Sequence, residues 1–366
     1  MFLERDTPTP LEVLITSFIF ISLFYYVRAN RAKSSKTVVL YSAIGCILFC
    51  LFDYCDGDFF HYKEHFGNIK KGYDSPFEMI YNWIISISWN YYFFRFIVWG
   101  TSIWIVKLTV QRLRINDSNF WYLFVIYSLL LFAYARVSLA LALSTFGFVI
   151  ILTAKPKRVF EYCFGLSLIV FSAFFHKSIL IVLLLIPLSF LKLGRKSIII
   201  GVCLLPLLIH FVNNYLIFHL MTVDLGEVQQ SAVTSYILNS DGVEEGGTAR
   251  KILDILEQLP TYFCALLFII LFKDYSELNQ YQKRLYPLLR WSILIILCSS
   301  CFILFPYTKV LYYRIMYLAR VPAVIGISLM YRNNLISRRN MAVFCGLAIM
   351  NDFATLSYSL YLSIIK

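Results

Sequence analysis

A few polar residues interrupt a sequence that is otherwise overwhelmingly apolar, and their types and spacing suggest where chemistry could occur. His176 sits in Phe174-Phe175-His176-Lys177-Ser178, a polar break in a long apolar stretch. An imidazole titrates near neutral pH and suits proton transfer, with a structural turn histidine as the plain alternative. Arg136 stands between Leu123–Ala135 and Val137–Leu143, where a guanidinium either binds an anionic group or snorkels to the lipid headgroups. Arg314, Tyr317 and Arg320 recur at helical spacing with Tyr313 and share one broad helix face. Two inward arginines there would match the oxygens of a diphosphate; interfacial anchoring is the other reading. Asp53, Asp56 and Asp58 precede His61, Tyr62 and His65, a group that could position a sugar, take a proton or hold a divalent ion. It has neither EF-hand nor HExxH spacing, so no metal and no cofactor is assigned. Arg95 and Glu78 complete the set as substrate contacts or ion-pair partners.

These groups need a scaffold, and composition says which kind. Hydrophobic residues make up 60% of the 366, charged residues 15%, and mean hydropathy is +0.71. That leaves too little polar surface to cover a globule in water. Apolar stretches of about twenty residues, the length that crosses ~30 Å of hydrocarbon, recur along the chain. Phe160–Phe175 and Ser178–Leu191 are apolar without period-2 alternation, which predicts helices and excludes barrel strands. The expected fold is all-α: a polytopic membrane bundle forming a single transmembrane domain over 1–366. About twelve spanning helices are placed near 11–27, 37–52, 91–108, 119–135, 137–153, 160–175, 178–191, 197–218, 255–272, 288–305, 311–331 and 341–365. Residues 1–10 lack the features of a removable signal peptide. Eight of the nine cysteines fall inside apolar runs, so no disulfide framework is expected, and Cys298 and Cys301 read as core.

A net charge of +12 could indicate nucleic acid, but the basic residues lie in short clusters between the apolar runs. Clusters at 28–36, 107–114, 155–158, 192–196, 273–290 and 332–339 hold most of the Lys and Arg residues, as cytoplasmic loops do. This leaves both termini outside. The alternate connections include two long acidic segments, 53–90 and 219–254, holding more than half of the Asp and Glu residues. The first should contain a short interfacial helix over 77–88, after Ser75-Pro76; the second reads as a lid or an unstructured loop. Loops carry function more often than the scaffold beneath them, so the chemistry is expected on this outer face.

At these residues the chain resembles the EpsG-type (Wzy-like) family of bacterial exopolysaccharide and O-antigen polymerases. Gly57-Asp58-Phe59-Phe60-His61-Tyr62 is similar to the family's G-x-D-Y-x-x-Y region, with one residue fewer before the aspartate and Phe59 in place of Tyr. Arg136 with Leu139-Ala140-Leu141-Ala142 resembles its R-Q-x-(I/L)-A segment without the Gln, and Phe175-His176-Lys177-Ser178 resembles its F-H-x-S. Arg314 and Tyr317 fit a looser R-x-x-Y. The resemblance implies an enzyme of the bacterial cytoplasmic (inner) membrane that joins undecaprenyl-diphosphate-linked oligosaccharides on its outer face. The implied partners are membrane lipid, a chain-length regulator and a flippase, with no nucleic acid.

The residues alone point the same way, because none of the short basic loops could form a nucleotide-sugar-binding domain. The expected chemistry has Arg136, Arg314 and Arg320 stabilising a departing diphosphate while His176 or Asp58 takes the acceptor's proton, with Tyr317, Tyr62, Arg95 and Glu78 holding substrate. Three rivals remain: a polyprenyl-phosphate-sugar glycosyltransferase centred on Asp56 and Asp58, a flippase or transporter, and an acyltransferase using His176. A transporter should place its ionisable groups deep in the membrane, whereas the sequence gathers them at one face.

Overall fold

A computed structural model describes residues 7–56, 59–73, 79–132, 135–155, 158–176, 179–191, 256, 258–267, 280–302 and 309–365. Among them every regular element is a helix. In chain order these are α1 (Pro10–Asn30), α2 (Lys36–Leu51), α3 (Phe59–Lys70), α4 (Met79–Ile87), α5 (Tyr91–Arg112), α6 (Ser118–Tyr127) and α7 (Leu129–Phe132). They continue with α8 (Ala135–Thr153), α9 (Val159–Ser172), α10 (Ile179–Ser189), a helical stretch over 258–267, α11 (Gln280–Phe302), α12 (Lys309–Arg332) and α13 (Arg338–Ile365).

The helix starts are written locally. Thr9 and Glu12 form a reciprocal capping box before α1, the Thr9 backbone N–H donating to Glu12 Oε2 at 2.7 Å, with Pro10 at the first helical position. Asn90 and Asp117 cap α5 and α6 by accepting from the N–H groups of Phe93 (2.8 Å) and Phe120 (2.9 Å). Helix α6 is buried all round from Phe120 to Tyr127 and packs against α1, α2, α12 and α13, so it is the hub of the bundle.

The outer helices instead turn large apolar side chains outward. Phe160 is 80% exposed, Phe18 73% and Leu184 73%, a surface that suits lipid and not water. The long apolar windows Pro10–Asn30, Tyr91–Arg112, Ile315–Arg332 and Arg338–Ile365 have the length and hydropathy of full crossings, with shorter apolar windows at Lys36–Leu51, Val137–Thr153, Val159–Ser172 and Leu285–Ser299. The described residues therefore do not reach the expected count of about twelve spans; the helix expected over 197–218 and the segment 219–254 lie outside them. Packing between α8 and α9 depends on two glycines. A Cβ on Gly147 would lie 2.5 Å from the Gly165 carbonyl oxygen, and one on Gly165 would lie 2.7 Å from that of Gly147.

Two ends of the bundle can be told apart by their contacts. At one end Arg112 donates to Thr153 Oγ1 (2.5 Å) and to Glu161 (2.6 Å), which also pairs with Arg158 (2.7 Å), joining α5, α8 and α9. Arg31, Arg332 and Arg338 line one cleft there, and Lys36, Lys107 and Arg114 line another. The basic clusters 28–36, 107–114, 155–158 and 332–339 thus converge, as the alternation of charge requires. Arg290 departs from its expected loop: it lies buried within α11 and donates to the carbonyls of Ser189 (3.4 Å) and Leu191 at the end of α10.

The opposite end carries the first long segment. It holds two helices where the sequence predicts one: α4 falls within 77–88, and α3 forms over a stretch whose polar residues predict a loop. The signal for α3 was Phe59, Tyr62 and Phe66, an i, i+3, i+7 stripe that is buried under otherwise polar residues. Lys70 Nζ donates to the Ser86 carbonyl at 2.7 Å and ties α3 to α4.

Candidate active site at a broken helix

The single helix expected over 119–135 is interrupted. α6 ends at Tyr127 with Ser128 as its C-cap, and α7 runs only from Leu129 to Phe132 before α8 begins at Ala135. Such a break frees backbone carbonyls that must find donors in a bundle without water. Two distant side chains supply them. Trp99 Nε1 on α5 donates to the Phe132 carbonyl at 3.2 Å, and Arg320 Nη1 on α12 donates to the Tyr127 carbonyl at 3.3 Å. The Arg320 guanidinium also lies 5.4 Å from the ring centre of Tyr127 and 6.0 Å from that of Tyr317. Tyr127 in turn donates its hydroxyl to Thr261 Oγ1 at 2.8 Å.

A cavity of about 10 Å³, room for about one water molecule, lies at this break. Arg320, Tyr317, Ser128 and Ser138 supply its polar lining, and Phe132 and Leu141 are among its apolar walls. Ser128 is buried, and its hydroxyl has no hydrogen-bond partner among the described residues. Ser138 lies 3.4 Å from the Ser102 hydroxyl, linking α8 to α5. Two residues beyond Arg320, Pro322 removes the N–H that would bond the Leu318 carbonyl, so α12 also has an interrupted ladder here.

Of the residues singled out by sequence, two line this cavity and two others lie on the same two helices. Arg136 is the second residue of α8, next to cavity-lining Val137 and Ser138, and Arg314 lies on α12 six residues before Arg320. Arg320 and Tyr317 line the cavity directly. The expectation that the ionisable groups cluster at one face needs correction: Arg320 occupies the middle of α12 and is 3% exposed. Depth therefore no longer argues against a transporter. Tyr127, Ser138 and Trp99 carry no mark in the sequence pattern that sets them apart from the scaffold. Ser128, a weak helix former amid apolar residues, was the one local cue to the break.

A second buried arginine has different surroundings. Arg95 has no exposed surface. Its Nε and Nη2 donate to the Cys50 carbonyl at the end of α2 (3.1 and 2.5 Å), Nη2 reaches the Asp53 carbonyl (3.4 Å), and Nη1 reaches the Tyr91 hydroxyl (3.2 Å) and Asp56 (3.5 Å). The rings of Trp99 and Phe59 cover the guanidinium at 4.3 and 4.6 Å. No part of Arg95 is open to a substrate in this arrangement; it fastens the first long segment to α5. Tyr62 is likewise buried, in the stripe that packs α3.

Asp53 is buried beside this group, its carboxylate accepting from the Cys55 N–H at 3.1 Å. Burial pushes its carboxyl up to about 7, although the Arg95 charge works in the other direction. Among the described residues no group of three or more metal-ligating side chains occurs.

His176 is buried in the turn from α9 to α10, and its carbonyl accepts from the Ile179 N–H at 3.1 Å. The neighbouring Phe175 ring meets Tyr81 of α4 edge-on at 5.9 Å, which brings this turn to the same end as the first long segment. His176 does not line the Arg320 cavity. Asp58 and Glu78 lie outside the described residues.

Against known proteins, the model of the EpsG family matches the chain over residues 52–364. No curated protein and no solved structure matches it.

Proposed function

This chain belongs to the EpsG family of polysaccharide-polymerase-like membrane proteins, and from that premise we propose that it joins lipid-linked sugar repeat units outside the cytoplasmic membrane. The observation that carries the reading is the broken helix, which sets Arg320 and Tyr317 of α12 against the first turn of α8, where Arg136 stands. A helix N-terminus with nearby arginines favours an anionic group, and a diphosphate is the anion such a substrate carries.

The donor is the growing chain on undecaprenyl diphosphate, and the acceptor is a newly delivered repeat unit on the same carrier. An acceptor hydroxyl attacks the donor's anomeric carbon; the new C–O bond forms as the bond to the diphosphate breaks. Arg136, Arg314 and Arg320 take up the charge of the leaving diphosphate, and His176 or Asp58 accepts the hydroxyl proton. Arginines can carry this leaving-group charge, so the scheme calls for no cofactor. A flippase would supply the repeat units, and a chain-length regulator would limit the product.

Deleting the gene and separating the surface polysaccharide by gel tests the reading. The expected result is a single-repeat product in place of a ladder. Complete loss of polysaccharide would instead support a flippase, the alternative that the mid-helix depth of Arg320 favours. Loss of polymerisation on adding a chelator would favour the rival metal-dependent glycosyltransferase at Asp56 and Asp58.

A further inference from the structure

We propose that the cleft at the basic end of the bundle binds the phosphate of an anionic phospholipid. The cleft lies where α1 and α12 end and α6 and α13 begin, and its volume of about 700 Å³ is within the range of small-molecule sites. It is separate from the cavity at the broken helix. Arg332 on its wall is twelve residues along α12 from Arg320, or ~18 Å at 1.5 Å per residue.

Its lining is cationic. Arg31 comes from the connection after α1, and Arg332 and Arg338 flank the one between α12 and α13; one carboxylate, Asp117, shares the lining and already caps α6 by accepting from Phe120. The Arg31 guanidinium stands 5.8 Å from the ring centre of Tyr122 and engages that side chain, which holds one fork of the arginine at the cleft wall. On the wall, the Ser328 hydroxyl is buried and has no hydrogen-bond partner among the described residues, so a donor waits inside the cleft.

The depth of the cleft selects the ligand. It opens at the helix ends, where lipid headgroups lie, and basic pockets between helices at that level suit phosphodiester headgroups. Beyond it α13 exposes Val343 and Met350, which offer an acyl chain an apolar track.

Native mass spectrometry of the full chain, released from detergent with either phosphatidylglycerol or phosphatidylcholine added, tests this without any variant. One phosphatidylglycerol should be retained in preference to phosphatidylcholine and should survive millimolar inorganic phosphate. Equal retention of the two lipids would overturn the proposal, and displacement by inorganic phosphate would reassign the cleft to a free anion. Replacing Arg31, Arg332 and Arg338 together by Gln should lower retention at least tenfold, since each charge contributes to headgroup binding. Replacing Lys33, Lys155 and Arg339, which do not line the cleft, should leave it unchanged. An equal loss in that control would reduce the effect to the general charge of this end and contradict a built site.

Discussion

Arg95 and Arg320 are both buried, and both donate to carbonyls freed at the end of a helix, α2 for one and α6 for the other. Their surroundings separate them. Around Arg95 the fork is shared among two carbonyls, a tyrosine hydroxyl and Asp56, and aromatic rings cover its faces. Around Arg320 the fold leaves a cavity edged by serines, a tyrosine and the start of α8. A buried charge in a membrane bundle can thus close a structural joint or edge a small void, and what encloses it distinguishes the two.

The largest expected effect is on the structural side of this contrast. Arg95→Ala removes one partner of a buried pair and frees the Cys50 carbonyl, so it should destabilise the fold by about 3–5 kcal/mol. Little folded protein should remain in the membrane, as read by size-exclusion of detergent extracts. A well-folded Arg95→Ala protein without activity would move Arg95 into the site.

His176 tests where the boundary lies, because it is as buried as a structural residue yet sits in the turn beside the first long segment. If it takes the acceptor's proton, His176→Gln should cut turnover by roughly 10²–10⁴-fold with folded protein and substrate binding unchanged. Near-wild-type turnover would pass the role to Asp58, whose Asp→Asn variant should then be inactive.

A smaller effect is expected where α8 is held in place. Gly165→Ala puts a Cβ 2.7 Å from the Gly147 carbonyl oxygen and should cost about 1–3 kcal/mol as α8 and α9 separate. Thermal unfolding in detergent should show the loss. An unchanged midpoint would mean that this contact does not position α8.

Smallest is a pH effect at the Arg95 joint. The Asp53 carboxyl is raised to about 7, above the ~3.9 of an unfolded chain, so the folded state holds this proton more tightly. Its contribution to stability is greatest below pH ~4 and falls as pH rises toward about 7. The Asp53→Asn protein should therefore lose less stability than wild type between pH 4 and 8. Parallel curves would show that Asp53 does not titrate in that window.

Much of the scaffold was legible because hydropathy and charge alternate along the chain. The basic connections at 28–36, 107–114, 155–158 and 332–339 meet at one end of the bundle as expected. Helix α3 escaped because Lys63, Glu64 and His65 mask its buried stripe of Phe59, Tyr62 and Phe66. The candidate site was half legible. Arg136, Tyr317 and Arg320 stand out as polar residues in apolar runs, whereas the break that unites them depends on Trp99 and Arg320 reaching carbonyls far along the chain. Arg95 stood out for the same reason as Arg320, and only the groups around it reveal its different use.

The central claim, that the buried Arg320 charge stabilises the leaving diphosphate, is tested most directly with Arg320→Gln. The variant keeps a hydrogen-bond donor for the Tyr127 carbonyl but loses the charge. Polymer formation from lipid-diphosphate-linked repeat units would be measured in liposomes, normalised to folded protein. The account predicts a fall in turnover of about 10²–10³-fold with the amount of folded protein retained; turnover equal to that of the wild type would contradict it.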